Sequence, residues 1–258
     1  MRKVFLHVIV LLFSFQVMAS ATSWKELIWI TEEYPPWTYS DNGVASGIYV
    51  ELLEAIWEKK NVERTRHEIQ VLPWARGFKH LQTVPGTVLF SMSRTPAREQ
   101  LGFLWVGPVL SENRIALIAK KGRFDSLTTM EAINATFDSD TIGVVNKDSG
   151  ENFFLENGGA DVLLHKVHSG EQLVRMLQYD RVDAISYAMF STHHYLEKLG
   201  ESFSDYEVLL YLSPVGNGGY FALHKDTDPR LAASFQEAFD QLQQEGFIKD
   251  LAEKYAPK

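Results

Sequence analysis

The sequence contains no cysteine. That excludes a cysteine nucleophile, a thiolate zinc site and a disulfide scaffold. The fold must therefore be held by its core, and 258 residues with 45% hydrophobic side chains can bury one of adequate size. Signature motifs are missing as well. There is no HExxH, P-loop, Gly-rich dinucleotide fingerprint or GxSxG. No Ser/His/Asp set is indicated, and no metal or cofactor site is expected. His193 and His194 are adjacent on a predicted helix and point in different directions. His165 and His168 flank a strand end and read as surface residues. Basic side chains are the scarcer charge, 25 against 33 acidic, for a formal net charge of -8. An acidic surface argues against nucleic acid and anionic membranes as partners.

Beyond residue 21 no apolar run approaches the roughly 20 residues that a bilayer span needs. The first residues are instead the pattern of a secretory signal. Arg2 and Lys3 form a positive start, Val4 to Val17 an apolar stretch, and Ala19-Ser20-Ala21 a small-residue cleavage site. Removal of residues 1–21 takes the net charge to -10. The expected product is a periplasmic monomer, free in solution and not inserted in a membrane.

Strand and helix patterns alternate along the rest of the chain. Strands are expected at 27–31, 67–72 and 87–93, with helices at 47–60 and 74–82 and another opened by Thr95-Pro96. A strong β run follows at 114–120, and then the pattern starts afresh. Strands at 141–145, 162–167 and 182–187 alternate with helices from Ser149, at 172–178 and at 192–199, the last stopped by Gly200. Asp228-Pro229 opens a final helix towards Gln244, which Gly246 interrupts before 247–255 resumes. Such alternation predicts an α/β protein with mainly parallel open sheets flanked by helices.

The most informative stretch is Ser91-Met-Ser93-Arg-Thr95-Pro-Ala-Arg98. A strand ends in two serines, and Arg98 falls at N3 of the next helix. A cation there sits badly with the helix dipole. An anion bound at that point would reverse the balance, because backbone N–H groups and the guanidinium fork converge on it. The alternative is a surface arginine paired to Glu99.

In order along the chain stand Glu33-Tyr34-Pro-Pro-Trp37, Gly47-Ile-Tyr-Val-Glu-Leu-Leu53, Ser91-x-Ser93-x-Thr95-x-x-Arg98, Ile142-Gly-Val144, Asp180-Arg-Val-Asp183-Ala184, and Glu245-Gly-Phe-Ile-Lys-Asp-Leu-Ala-Glu-Lys-Tyr255. Together these resemble the periplasmic solute-binding proteins of family 3, the polar amino-acid type. The resemblance covers the chain from about residue 24 to the end. It implies a two-lobed type II periplasmic-binding fold, with lobe one at 22–113 and 213–258, lobe two at 114–212, and two hinge strands between them. It further implies that Arg98 holds a ligand carboxylate, assisted by Ser93 and the main chain near Ser91. Tyr34 and Trp37 stand where the family has an aromatic wall, although Trp37 also suits a plug in lobe one. Trp74 matches a position that touches the ligand side chain. Arg76 is either a second cation in the cleft or a solvated helix charge. In lobe two Asp148, with Glu151 three residues on, resembles a capping box. The family brings that helix start, Asp148 and Ser149, to the ligand, so Asp148 is a cap, a partner for a ligand ammonium, or both.

One departure limits the comparison. Typical members carry an aspartate a few residues after Val-Asp-Ala that binds the ligand amine, and Ala188 stands there in this chain. Asp148, Glu33 or Tyr187 is the replacement, or the ligand is not an ordinary α-amino acid. The functional expectation is delivery of a small anionic solute to an inner-membrane ABC permease. A sensory protein reporting to a membrane receptor is the second reading. A dehydratase using Glu32, Glu33 or Asp148 as its acid is the third.

Overall fold

The computed structural model describes residues 23–109, 114–124, 127–214 and 218–255. The predicted signal at 1–21 lies outside them, as do residues 110–113 and 215–217 beside the predicted lobe boundaries.

In chain order the first elements are β1 (Ile28–Thr31), β2 (Tyr39–Asp41), β3 (Val44–Ser46), α1 (Ile48–Lys59), β4 (Gln70–Val71), α2 (Trp74–Thr83), β5 (Thr87–Ser93), α3 (Pro96–Glu99) and β6 (Leu104–Val109). There follow β7 (Ile115–Lys120), α4 (Met130–Thr136), β8 (Ile142–Val145), α5 (Ser149–Glu156), β9 (Leu164–Val167), α6 (Gly170–Gln178), β10 (Ala184–Ala188), α7 (Met189–Lys198) and β11 (Tyr206–Tyr211). The chain then adds β12 (Gly219–Leu223), α8 (Pro229–Gln244) and α9 (Phe247–Lys254).

Among the described residues the strands make two five-stranded sheets, ordered β4-β1-β5-β12-β6 and β11-β7-β10-β8-β9, one in each lobe. Each sheet has the same plan. β4, β1 and β5 pair in parallel, and β12 runs antiparallel between β5 and β6. β9, β8 and β10 pair in parallel, and β7 runs antiparallel between β10 and β11. The sheets are thus mixed, with one reversed strand second from an edge in each. Residues 212–213 and 114–115 run side by side: Ile115 N–H donates to Ser213 Oγ at 2.9 Å, and Leu212 N–H donates to Ile115 O at 2.9 Å.

Strand alternation sorts the side chains of lobe one onto two faces. Trp29, Val88, Phe90 and Phe221 face α1 and α8, whose Leu52, Leu53, Trp57, Phe235 and Phe239 are buried against them. Ile30, Leu89 and Ala222 face α2 on the other side, with Trp74 and Leu81. Trp29 meets Trp57 and Phe235 edge to face at 5.3 and 5.8 Å. Burial of each such side chain is worth roughly 2–3 kcal/mol. In lobe two every side chain from Ile115 to Ala119 is buried, and Leu173, Val174 and Leu177 of α6 cover the sheet. No helix among the described residues is long and apolar enough to cross a membrane.

The expected strand at 67–72 shrinks to Gln70–Val71. Residues 66–68 instead form a tight turn in which the Glu68 carboxylate accepts the Thr65 N–H at 3.0 Å. Strands β6, β11 and β12 are not among those the sequence pattern predicts. β6 holds Gly107-Pro108, a turn signal by composition, yet it pairs with β12.

Candidate functional site

The site grows out of the end of β5. Thr95 caps α3, its Oγ1 accepting the Arg98 N–H at 3.3 Å, and Pro96 is the first helical residue. Arg98 is at N3 as the sequence predicts. The dipole argument is weaker than expected, because α3 is a single turn of four residues and cannot build a full macrodipole. Pairing with Glu99 is ruled out, since Glu99 engages Arg94 at 2.6 Å. Arg98 turns inward instead and is 3% exposed. Its Nη1 donates to Ser93 O at 2.9 Å, and its Nη2 lies 3.4 Å from Lys147 O on the other lobe. The guanidinium carbon sits 4.6 Å from the centre of the Trp74 ring system, a cation–π distance.

Trp74, the first residue of α2, donates its indole N–H to the same Lys147 carbonyl at 2.7 Å. Lys147 has φ +63°, a left-handed backbone that is uncommon for lysine, in the turn between β8 and α5. Strain of this kind is characteristic of residues held in place for function.

Asp148 and Ser149 follow at the buried start of α5, with Ser149 Oγ donating to Asp148 Oδ1 at 3.2 Å. The capping box expected from Asp148 and Glu151 does not form. The Asp148 side chain makes no capping hydrogen bond, and Glu151 accepts the Lys147 N–H instead while pairing with Lys166 at 2.8 Å. Glu151 is thereby committed to the β8–α5 turn rather than to the helix cap.

Among the described residues three ring pairs also cross between the lobes, one of them Tyr39 against His194 at 6.4 Å. Tyr34 meets Tyr187 edge to face at 5.7 Å, and Trp37 stacks parallel to Phe190 at 6.1 Å. Trp37 also packs on Tyr49 at 6.3 Å, so its plug and cleft readings describe two faces of one ring. Ser91 has φ +69°, and its buried hydroxyl has no hydrogen-bond partner among the described residues. Ser93 contributes its carbonyl to Arg98. Arg76 is exposed, as a solvated helix charge would be.

A cavity of about 430 Å³ lies between the lobes, lined by Glu32, Glu33 and Trp74 on one side and Val145, His168 and Tyr187 on the other. Of the predicted residues, Trp74 and Tyr187 line it directly. Arg98 lies behind Trp74, while Ser91, Ser93, Tyr34, Trp37, Asp148 and Ser149 stand outside the lining. Glu32 and His168 are the additions. Glu32 enters the sequence analysis only as a candidate acid, and His168 is exposed, as the sequence implies, while also lining the cavity. Glu32 is buried and Glu33 exposed beyond β1, a difference that no sequence signal distinguishes.

Electrostatically the site is strained. Burial pushes the Glu32 carboxyl well above the usual range, with repulsion from Asp148 adding to it and Arg98 opposing. Burial also raises Asp148, again against Arg98. The Arg98 guanidinium is pulled below its ordinary value by its own burial, and both carboxylates resist that shift. Burial disfavours ionisation of both carboxylates, and the one buried cation they share offsets this only in part.

Residues 27–258 match the family of bacterial extracellular solute-binding proteins, family 3. The chain belongs to this family. Solved structures share the fold of this family 3 protein. One is a substrate-binding protein of an ABC uptake transporter from Streptococcus pneumoniae with bound histidine, 19% identical, with a TM-score of 0.74, covering 91% of this chain and 94% of that one. Another is an ancestral arginine-binding protein bound to glutamine, 20% identical, with a TM-score of 0.72, covering 90% and 99%. A third is a histidine kinase sensor domain with similarity to periplasmic binding proteins, 18% identical, with a TM-score of 0.71, covering 89% and 96%. No curated protein matches the chain. In the family 3 protein described here Ala188 is fully buried between β10 and α7 and brings no charge to the cleft.

Proposed function

We propose that this family 3 protein binds one small solute with an anionic group, of amino-acid type, between its lobes in the periplasm and delivers it to an inner-membrane ABC transporter. The observation that carries this reading is the position of Arg98, a buried guanidinium where α3, Trp74 and the Lys147 carbonyl of the opposite lobe meet. Its bond to Ser93 O lies within lobe one and survives opening, whereas its longer contact to Lys147 O is lost when the lobes part. A carboxylate can then take the Nη2 donor in place of that carbonyl, with a charge-assisted bond replacing a neutral one. Ser91 and Ser93 lie beside that anion site. Trp74 and Tyr187 wall the solute from the two lobes, while Tyr34, Trp37, Asp148 and Ser149 surround the cavity from outside its lining. Closure excludes water and strengthens each polar contact.

Export rests on the signal-like residues 1–21. Solved relatives with histidine or glutamine bound support an amino-acid type of ligand. The histidine kinase sensor domain of the same fold keeps sensing as the second reading. Association with an ABC permease, rather than with a receptor, in detergent extracts separates the two.

The test is titration calorimetry with amino acids, dicarboxylates, polyamines and small peptides. Arg98→Ala is expected to weaken the best binder by at least about 2 kcal/mol, or roughly 30-fold. Unchanged affinity in that variant, or binding confined to compounds without an anionic group, overturns the proposal.

A further inference from the structure

The wall of the cavity is acidic. It carries Glu32 and Glu33, and its lining includes no lysine or arginine. Glu33 is exposed, and its carboxylate already accepts the Ser40 N–H at 2.8 Å. Glu32 is in a different position. It is 8% exposed, it follows the end of β1, and it lines the cavity. Its main-chain carbonyl is bonded by Thr38, but its carboxylate makes no hydrogen bond or ion pair among the described residues. A buried carboxylate left unpaired is costly.

Arg98 relieves that cost only in part. Its guanidinium is engaged by the carbonyls of Ser93 and Lys147, and Asp148 draws on the same positive charge more strongly than Glu32 does. With two buried carboxylates against one cation, the Glu32 carboxyl has no full protein counter-charge at the cavity wall once it ionises. Trp74 and Tyr187 add aromatic surface to the same wall, and aromatic surface suits both an alkyl stem and a cation.

We infer that Glu32 receives a cationic group of the solute, an ammonium or a guanidinium, in place of the amine anchor that is absent at Ala188. The inference rests on the proposed binding between the lobes and narrows its substrate class to solutes with a positive end. Both ends of the solute are then held from lobe one, the anion by Arg98 and the cation by Glu32. Lobe two supplies the cover rather than a charge partner for the amine. The electrostatics agree, since a bound cation stabilises the ionised form of Glu32, which burial otherwise opposes.

Three probes decide the matter in titration calorimetry on the purified protein: L-ornithine with both charges, putrescine with the cation alone, and glutarate with the anion alone. Ornithine is expected to bind best. Glu32→Gln should weaken ornithine and putrescine by at least about tenfold, the lower end for a lost charge-assisted bond, and leave glutarate unchanged. Glu32→Asp should recover part of the loss, and thermal melts establish that each variant is folded. Ornithine binding to Glu32→Gln at wild-type strength overturns the inference, as does glutarate binding more tightly than ornithine or a failure of both amines to bind. The underlying reading fails differently: putrescine binding as tightly as ornithine, with Arg98→Ala without effect, removes the anion site and leaves the Glu32 site standing.

Discussion

At the scale of single residues, Glu32 ties stability to pH in a sense opposite to most carboxylates. Its folded-state pKa is raised, so the native protein holds the proton more tightly than the unfolded chain does. Below the ordinary glutamate value both states are protonated and nothing is lost. As pH rises past that value the native state must desolvate a charge, and stability falls. The charged groups facing Glu32 set the size of the effect: Asp148 from α5 and Glu33 beside it add repulsion, and Arg98 from α3 offsets part of it. Replacement by glutamine removes the titration. Thermal melts of Glu32→Gln and wild type should therefore agree closely near about pH 4 and diverge towards about pH 8, the variant melting higher. A constant difference across that range would mean that Glu32 is solvated. Little of this was legible from the chain, because Glu32 and Glu33 are neighbours of one type and only packing assigns their different surroundings.

At the scale of elements, α5 matters most because its start and the turn leading into it carry Lys147, Asp148 and Ser149 to the cleft. Gly150 allows it to sit on β10: a Cβ there would lie 2.1 Å from the Ser186 carbonyl oxygen. The obstacle is backbone in the centre of a sheet and cannot swing aside. Ser186 Oγ also donates to Gly150 O at 2.7 Å, so the two elements are bonded where they touch. Gly150→Ala is expected to cost about 2 kcal/mol or more in urea unfolding and to weaken solute binding as α5 shifts. Most helices were readable, α1 from apolar residues at helical spacing, α8 from its Asp228-Pro229 start and the α8–α9 break from Gly246, which adopts φ +83°. The strands β6, β11 and β12 were not. β12 is five residues between β5 and β6, and its pairing partners, not its own pattern, make it a strand.

At the scale of the whole molecule, the cross-lobe contacts among the described residues include Trp74 and Arg98 on the Lys147 carbonyl, Tyr34 on Tyr187, Trp37 on Phe190 and Tyr39 on His194. The hydrogen bond from Trp74 is the shortest polar link among these, worth about 1 kcal/mol net. Trp74→Phe keeps the apolar ring and deletes that bond. It should shift the lobes towards separation, seen as a larger radius of gyration in small-angle scattering without solute. No change in the radius would show that the aromatic pairs alone hold the lobes together.

The sequence by itself determined the alternation of strands and helices, the N3 position of Arg98 and the family, because each rests on local spacing: apolar periodicity, a Thr-Pro helix start, and short motifs in order. Tertiary structure alone decided that Arg98 lies behind Trp74 rather than in the cavity wall, that Glu32 is the buried carboxylate, and that one strand in each sheet runs backwards. Burial and charge pairing depend on which distant segments the fold brings together. The Lys147 carbonyl shows this most plainly: it is a main-chain group 73 residues from Trp74, and no side-chain pattern announces where it points.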